Sequence, residues 1–90
     1  MTPGKPWTLV LTAKAEKDLK GIPAADQARI LAALDGLLKE PPEGDVRKLQ
    51  GQEERWRLRV GDWRAIFSRE ASERTVTIRR ILNRRDAYRG

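Results

Sequence analysis

Trp56-Arg57-Leu58-Arg59-Val60-Gly61-Asp62-Trp63-Arg64 is the stretch on which the reading of this chain turns. Apolar and cationic residues alternate on both sides of Gly61-Asp62, the pattern of two antiparallel strands joined by a two-residue turn. That register pairs Val60 with Trp63, Arg59 with Arg64 and Leu58 with Ala65. Because successive strand residues point to opposite faces, one face carries Trp56, Leu58, Val60, Trp63, Ala65 and Phe67. The other carries Arg57, Arg59 and Arg64. The first face reads as core, both tryptophans included. The second opposes Arg59 to Arg64, and like charges directly across a sheet are destabilising. A polyanion bound on that face would offset the repulsion.

The flanking sequence supplies the remaining elements. Trp7 to Leu11 is rich in strand formers. Thr12 is placed to N-cap a helix from Ala13 to Lys20, with Ala15, Leu19 and Ile22 on one face and Gly21 at its end. A second helix starts at Pro23 and runs to about Lys39, with Ile30, Ala33, Leu34, Leu37 and Leu38 as its apolar stripe. Gly36 weakens it by about 1 kcal/mol relative to alanine, and Pro41-Pro42 stops it. Glu43 to Asp45 reads as a loop and Val46 to Leu49 as a short strand. The hairpin strands cover 55–60 and 63–69, Glu70 to Arg74 is a turn, and Thr75 to Leu82 is the last strand. A basic tail, Asn83 to Gly90, follows. The order β-α-α-β-β-β-β predicts an α+β fold, with helices covering one face of an antiparallel sheet and arginines emerging from the other. Residues 1–90 read as a single domain.

The net charge of +6 is unevenly distributed. Residues 1–45 hold six Lys/Arg against seven Asp/Glu, whereas residues 46–90 hold thirteen against six. Twelve of those thirteen are arginine and one, Lys48, is lysine. Such asymmetry points to an acidic partner, most often nucleic acid. Arginine's planar fork grips phosphate bidentately and stacks on bases. The chain has no cysteine, which excludes disulfides and thiolate metal sites and suits a reducing compartment. No apolar run approaches a membrane span, and Met1 to Pro6 lacks the pattern of a secretory signal. A soluble cytoplasmic protein with no membrane partner is expected.

The N-terminal strand, the two helices ending at a proline break, Lys48-Leu49-x-Gly51, the hairpin, and the tail Asn83-Arg84-Arg85-Asp86-Ala87-Tyr88-Arg89 together resemble the RelE/ParE superfamily of bacterial toxins. The tail resembles the RelE branch. The resemblance covers nearly the whole chain and implies the toxin of a type II toxin–antitoxin pair. RelE-type toxins enter the ribosomal A site and cut mRNA there without a metal or other cofactor. The ribose 2′-OH attacks the adjacent phosphate and the 5′-oxygen leaves. Carried over by position, Arg57 and Arg59 match two basic positions, often lysine, of the first hairpin strand. Arg64 matches the arginine of the second strand, Arg84 the arginine after the last strand, and Tyr88 the tyrosine near the C-terminus. Lys48, Arg80, Arg85 and Arg89 are candidate RNA contacts. The implied partners are a cognate acidic antitoxin, the ribosome and mRNA.

Cleavage requires deprotonation of the 2′-OH, stabilisation of the phosphorane and a proton for the leaving oxygen. Guanidinium groups suit the second task, assigned to Arg64 with Arg57 or Arg59 helping. Arg84 is the candidate for assisting the leaving oxygen. No base is assigned: the chain has no histidine, arginine holds its proton too firmly, and the hairpin has arginine where relatives often have lysine. Asn83 stands where many relatives have histidine. Asp86 and Glu54 are carboxylates near the candidate site, and orientation of the 2′-OH is an alternative to base catalysis. Tyr88 either stacks on an unpaired base or orients the 2′-OH. Two other functions compete: a ParE-like gyrase inhibitor on the same fold, and a non-catalytic basic module that binds nucleic acid.

Overall fold

Local sequence rules place each element before the sheet assembles them. The computed structural model describes residues 6–49, 51 and 54–87. Strand β1 (Thr8–Leu11) leads into helices α1 (Ala13–Lys20) and α2 (Ala24–Gly36). Strands β2 (Asp45–Lys48), β3 (Trp56–Val60), β4 (Trp63–Glu70) and β5 (Thr75–Asn83) follow, and then a one-turn helix α3 (Arg84–Ala87). Thr12, in extended conformation, accepts a hydrogen bond from the Ala15 N–H at 3.2 Å and so caps α1. Its hydroxyl also donates to the Arg79 carbonyl at 3.0 Å, tying the cap to β5. Gly61 takes φ +58° in the β3–β4 turn, a conformation that costs a residue with a Cβ.

Helix α2 ends at Gly36, three residues short of the expected Lys39. The next residues tighten into i→i+3 bonds, Leu37 to Leu34, Leu38 to Asp35 and Lys39 to Gly36, as helix ends commonly do. Gly36 is therefore an end residue and not an internal weak point. A Cβ there would lie 3.3 Å from the Glu43 carbonyl oxygen, so glycine admits the returning loop.

The strand order is β1-β5-β4-β3-β2. The sheet is mixed, since β1 runs parallel to β5, pairing Thr8 with Thr75 and Leu11 with Ile78. The other three pairings are antiparallel. The chain returns to the sheet through both helices before reaching β2, which leaves β1 to join the far edge. In the hairpin, Val60 faces Trp63, Arg59 faces Arg64 and Leu58 faces Ala65, as the alternation predicts. A β-bulge between Ile66 and Phe67 shifts the β4–β5 register. It pairs Phe67 with Ile78 and Ala65 with Ile81, so two β5 residues three positions apart both point inward, which an unbroken period of two forbids.

The helices cover one face. Ala15, Ile22, Ile30, Leu34 and Leu37 bury against Leu58, Ala65, Phe67, Val76, Ile78 and Ile81. Burying each large side chain contributes about 1.5–3 kcal/mol. Trp56, Val60 and Trp63 pack on the margin of this core, and the Trp63 indole N–H donates to Asp26 of α2 at 3.1 Å. At the other end, the Arg69 guanidinium lies 3.9 Å from the Trp7 ring centroid. The Trp7 indole N–H donates to Glu40. No helix among the described residues is long and apolar enough to cross a membrane.

Candidate nucleic-acid interface

The face away from the helices gathers arginines from adjacent strands. Arg57 and Arg59 of β3 point to it, about 7 Å apart along the strand. Arg47 of β2 stands directly across from Arg57, and Arg64 of β4 directly across from Arg59. Two like-charge pairs thus share one face where the alternation alone showed one. Asp45, the first residue of β2, sits across from Arg59 and diagonal to Arg57. Its carboxylate oxygens lie 3.9 Å from Arg57 Nη1 and 4.0 Å from Arg59 Nη1. These separations neutralise charge but exceed hydrogen-bonding range. Arg57 Nη1 is buried with no hydrogen-bond partner.

Arg64 relieves the remaining repulsion differently. It is only 5% exposed, and its Nη1 donates to the carbonyls of Gly61 at 3.0 Å and Trp63 at 3.1 Å. Its charge therefore staples the hairpin turn instead of standing free for a ligand, while Arg59 is 56% exposed. The same turn holds the start of α3. The Arg84 N–H donates to the Asp62 carbonyl at 2.7 Å, and the Arg84 guanidinium lies 3.9 Å from the Asp62 carboxylate. Arg84 is thereby fixed at the hairpin end of the arginine face, with its head group largely exposed.

The other candidate contacts do not join this group. Lys48 pairs with Trp56 and so points to the helix-covered side, its ammonium 5.9 Å from the Trp56 ring centroid. Parity along β2 separates it from Arg47. Arg80 shares the open face by pairing with Ile66, but its guanidinium is drawn off by Asp18 of α1, with bonds of 2.8 and 3.2 Å. Arg85 is exposed on α3, its backbone N–H accepted by the Asn83 side chain at 3.2 Å. Tyr88 and Arg89 lie outside the described residues. The side chain of Glu54 is exposed on the loop before β3.

Asp18 completes the edge of β5 beyond the last residue that pairs with β1. Its Oδ2 accepts the Ile81 backbone N–H at 2.9 Å, replacing a strand partner. Burial alone would push this carboxyl's pKa up. The Arg80 and Ile81 hydrogen bonds, with the charges of Arg80 and Lys14, outweigh it and hold the pKa below the ordinary aspartate value. Arg80 is correspondingly raised, chiefly by its hydrogen bond to Asp18. A groove of about 650 Å³ lies beside this edge, lined by Lys14, Lys17, Ile22, Trp63 and Leu82 among others, apart from Arg57 and Arg59.

Reasoning from sequence missed Asp45, Asp62 and Asp18. Asp45 had a usable signal: extending β2 one residue towards the N-terminus puts Asp45 and Arg47 on one face by simple alternation. Asp18 had none, because its partners are more than sixty residues away. No cluster of three or more side chains suited to a metal ion occurs among the described residues.

Comparison with known proteins agrees with this architecture. A curated relative, "Putative toxin RelE1" of Methanocaldococcus jannaschii, is 29% identical over 76 residues, covering 81% of this chain and 84% of that protein. The toxin–antitoxin complex RelBE2 of Mycobacterium tuberculosis superposes with a TM-score of 0.76 at 24% identity, covering 88% of this chain and 99% of that one. The archaeal RelE–RelB complex of Pyrococcus horikoshii OT3 gives 0.75 at 27% identity, covering 96% of this chain and 100% of that one. The family model described as the ParE toxin of type II toxin–antitoxin systems matches residues 9–88. With nearly its whole length matched, and the RelE-like arrangement of helices over a five-stranded sheet, the chain belongs to the ParE toxin family of type II toxin–antitoxin systems.

Proposed function

We propose that this toxin is a metal-independent, ribosome-dependent endoribonuclease that cuts mRNA in the A site. The observation that carries the reading is the set Arg47, Arg57 and Arg59 on the open face, with Arg84 anchored beside it by Asp62. In this reading Arg57 and Arg59 bind the non-bridging oxygens of the scissile phosphate and stabilise the phosphorane as negative charge develops. The 2′-oxygen forms a bond to phosphorus as the bond to the 5′-oxygen breaks; the Arg84 charge stabilises the departing oxyanion, which takes its proton from solvent. The 2′-OH proton leaves to solvent or a ribosomal group, since the described open face offers guanidinium groups and carboxylates but no imidazole. The protein's share of catalysis is then alignment and charge stabilisation. Arg64 acts through the turn that carries Asp62. Lys48 lies on the opposite face and is left out of the site. The partner is an acidic antitoxin that covers the cationic face, in line with the RelB-bound state of the structural relatives.

A second reading, a gyrase inhibitor, is favoured by the ParE description of the matching family and by the want of an evident general base. Induced expression followed by primer extension on a translated reporter message separates the two. New 5′ ends that require translation support the nuclease. Growth arrest without new ends, together with loss of supercoiling by purified gyrase, overturns it in favour of the second reading.

A further inference from the structure

We propose that Asp45 is a built-in counter-charge that occupies a phosphate's place at the Arg57–Arg59 pair and sets how tightly this face takes single-stranded RNA. The inference rests on the phosphate-binding reading above and adds the residue that tunes it. Asp45 lies near both guanidinium groups yet is too far to bond either, at 3.9 and 4.0 Å. It cancels charge without satisfying donors, and Arg57 Nη1 remains buried with no acceptor. Asp45 is tethered to the β2 backbone, which holds its two oxygens at those distances; a phosphate carries no such tether and can approach both guanidinium groups.

The backbone beneath Asp45 is pinned while its side chain is not. Gly44 takes φ +115°, and a Cβ there would come within 2.8 Å of the Leu58 Cδ1 in the core. The preceding residue therefore seats the edge of β2 against the core and presents Asp45 over Arg59. The carboxylate itself is 46% exposed on that edge, free to swing outward when a stronger anion arrives. One carboxylate against Arg47, Arg57 and Arg59 leaves the row positive, which suits a chain of phosphates. Arginine forks match phosphodiester oxygens in pairs.

The test measures binding of the purified chain to a ten-nucleotide single-stranded RNA with 2′-O-methyl riboses, which cannot be cleaved by its own 2′-oxygen. Asp45→Asn should tighten binding by about two- to fivefold at low salt, the range of an exposed charge pair. The gain should shrink as salt rises. Arg57→Gln should weaken binding and lower the salt slope by about 0.7, as loss of one single-strand phosphate contact does. Asp45→Ser provides a second variant, and thermal melting verifies the fold of each. Unchanged or weaker RNA binding by folded Asp45→Asn overturns the proposal. So does a gain seen with an oligoglutamate peptide but not with RNA. Primer extension with the same variants keeps the two readings apart. Tighter RNA binding with no cleavage by any variant sinks the nuclease and leaves the counter-charge. Cleavage with no change in affinity does the reverse.

Discussion

The two faces of strands β3 and β4 obey opposite rules. On the covered face, Leu58, Ala65 and Phe67 are each 1% exposed and pack against the helices. On the open face, the same strands set Arg59 against Arg64 and present Arg57 to Arg47. One face lowers free energy by burial. The other carries electrostatic tension that Asp45, and the carbonyls gripped by Arg64, only partly relieve. Core and cationic residues are thus interleaved position by position, and substitutions one position apart should report on different properties.

The sharpest contrast should come from Phe67→Ala. It opens a cavity in the core and should cost about 3–5 kcal/mol, read by chemical denaturation. Arg59→Ala should leave stability within about 0.5 kcal/mol. If it contributes a donor to the transition state, cleavage should fall about 100- to 1000-fold in an assay with programmed ribosomes. A large stability loss from Arg59→Ala would erase the distinction between the faces.

Asp18→Ala tests the edge rather than either face. It removes charge-assisted bonds to Arg80 and the Ile81 amide and should cost about 1.5–3 kcal/mol near neutral pH. Because the folded-state pKa of Asp18 lies below its ordinary value, this contribution is fully present above the unfolded pKa of about 3.9. It is lost as pH falls through the folded value. Stability curves of parent and variant, measured against pH, should converge in acid; parallel curves would contradict the assignment. Arg64→Lys keeps the charge but gives up part of the grip on the turn, and should cost about 1 kcal/mol in thermal melting. Lys48→Ala is expected to change RNA affinity least, since the side chain lies on the covered side.

The alternation around Gly61-Asp62 was enough to read the hairpin register and the two faces, because a two-residue turn leaves no freedom in pairing. Helix starts were equally legible from Thr12 and Pro23. The parallel docking of β1 on β5 was not, since nothing local in Thr8–Leu11 names a partner sixty-seven residues away. Nor did sequence parity reveal that Arg64 is buried: alternation assigns a face, whereas exposure depends on where a long side chain folds. Arg80 shows the same limit. A distant carboxylate captures Arg80, whereas Lys48 was legible, since alternation along β2 puts it with Val46 on the covered face. The bulge at Ile66/Phe67, which decides which β5 residues point inward, breaks the very period on which such reading relies.

Primer extension on a translated reporter message, comparing the parent chain with the Arg59→Ala/Arg84→Ala double variant, decides whether the cationic face cuts RNA. Both positions are largely exposed, so the variant should retain its melting temperature. Translation-dependent cuts are expected with the parent and none with the folded variant. Identical cuts from both, or arrest by the parent without any cut, would contradict that expectation.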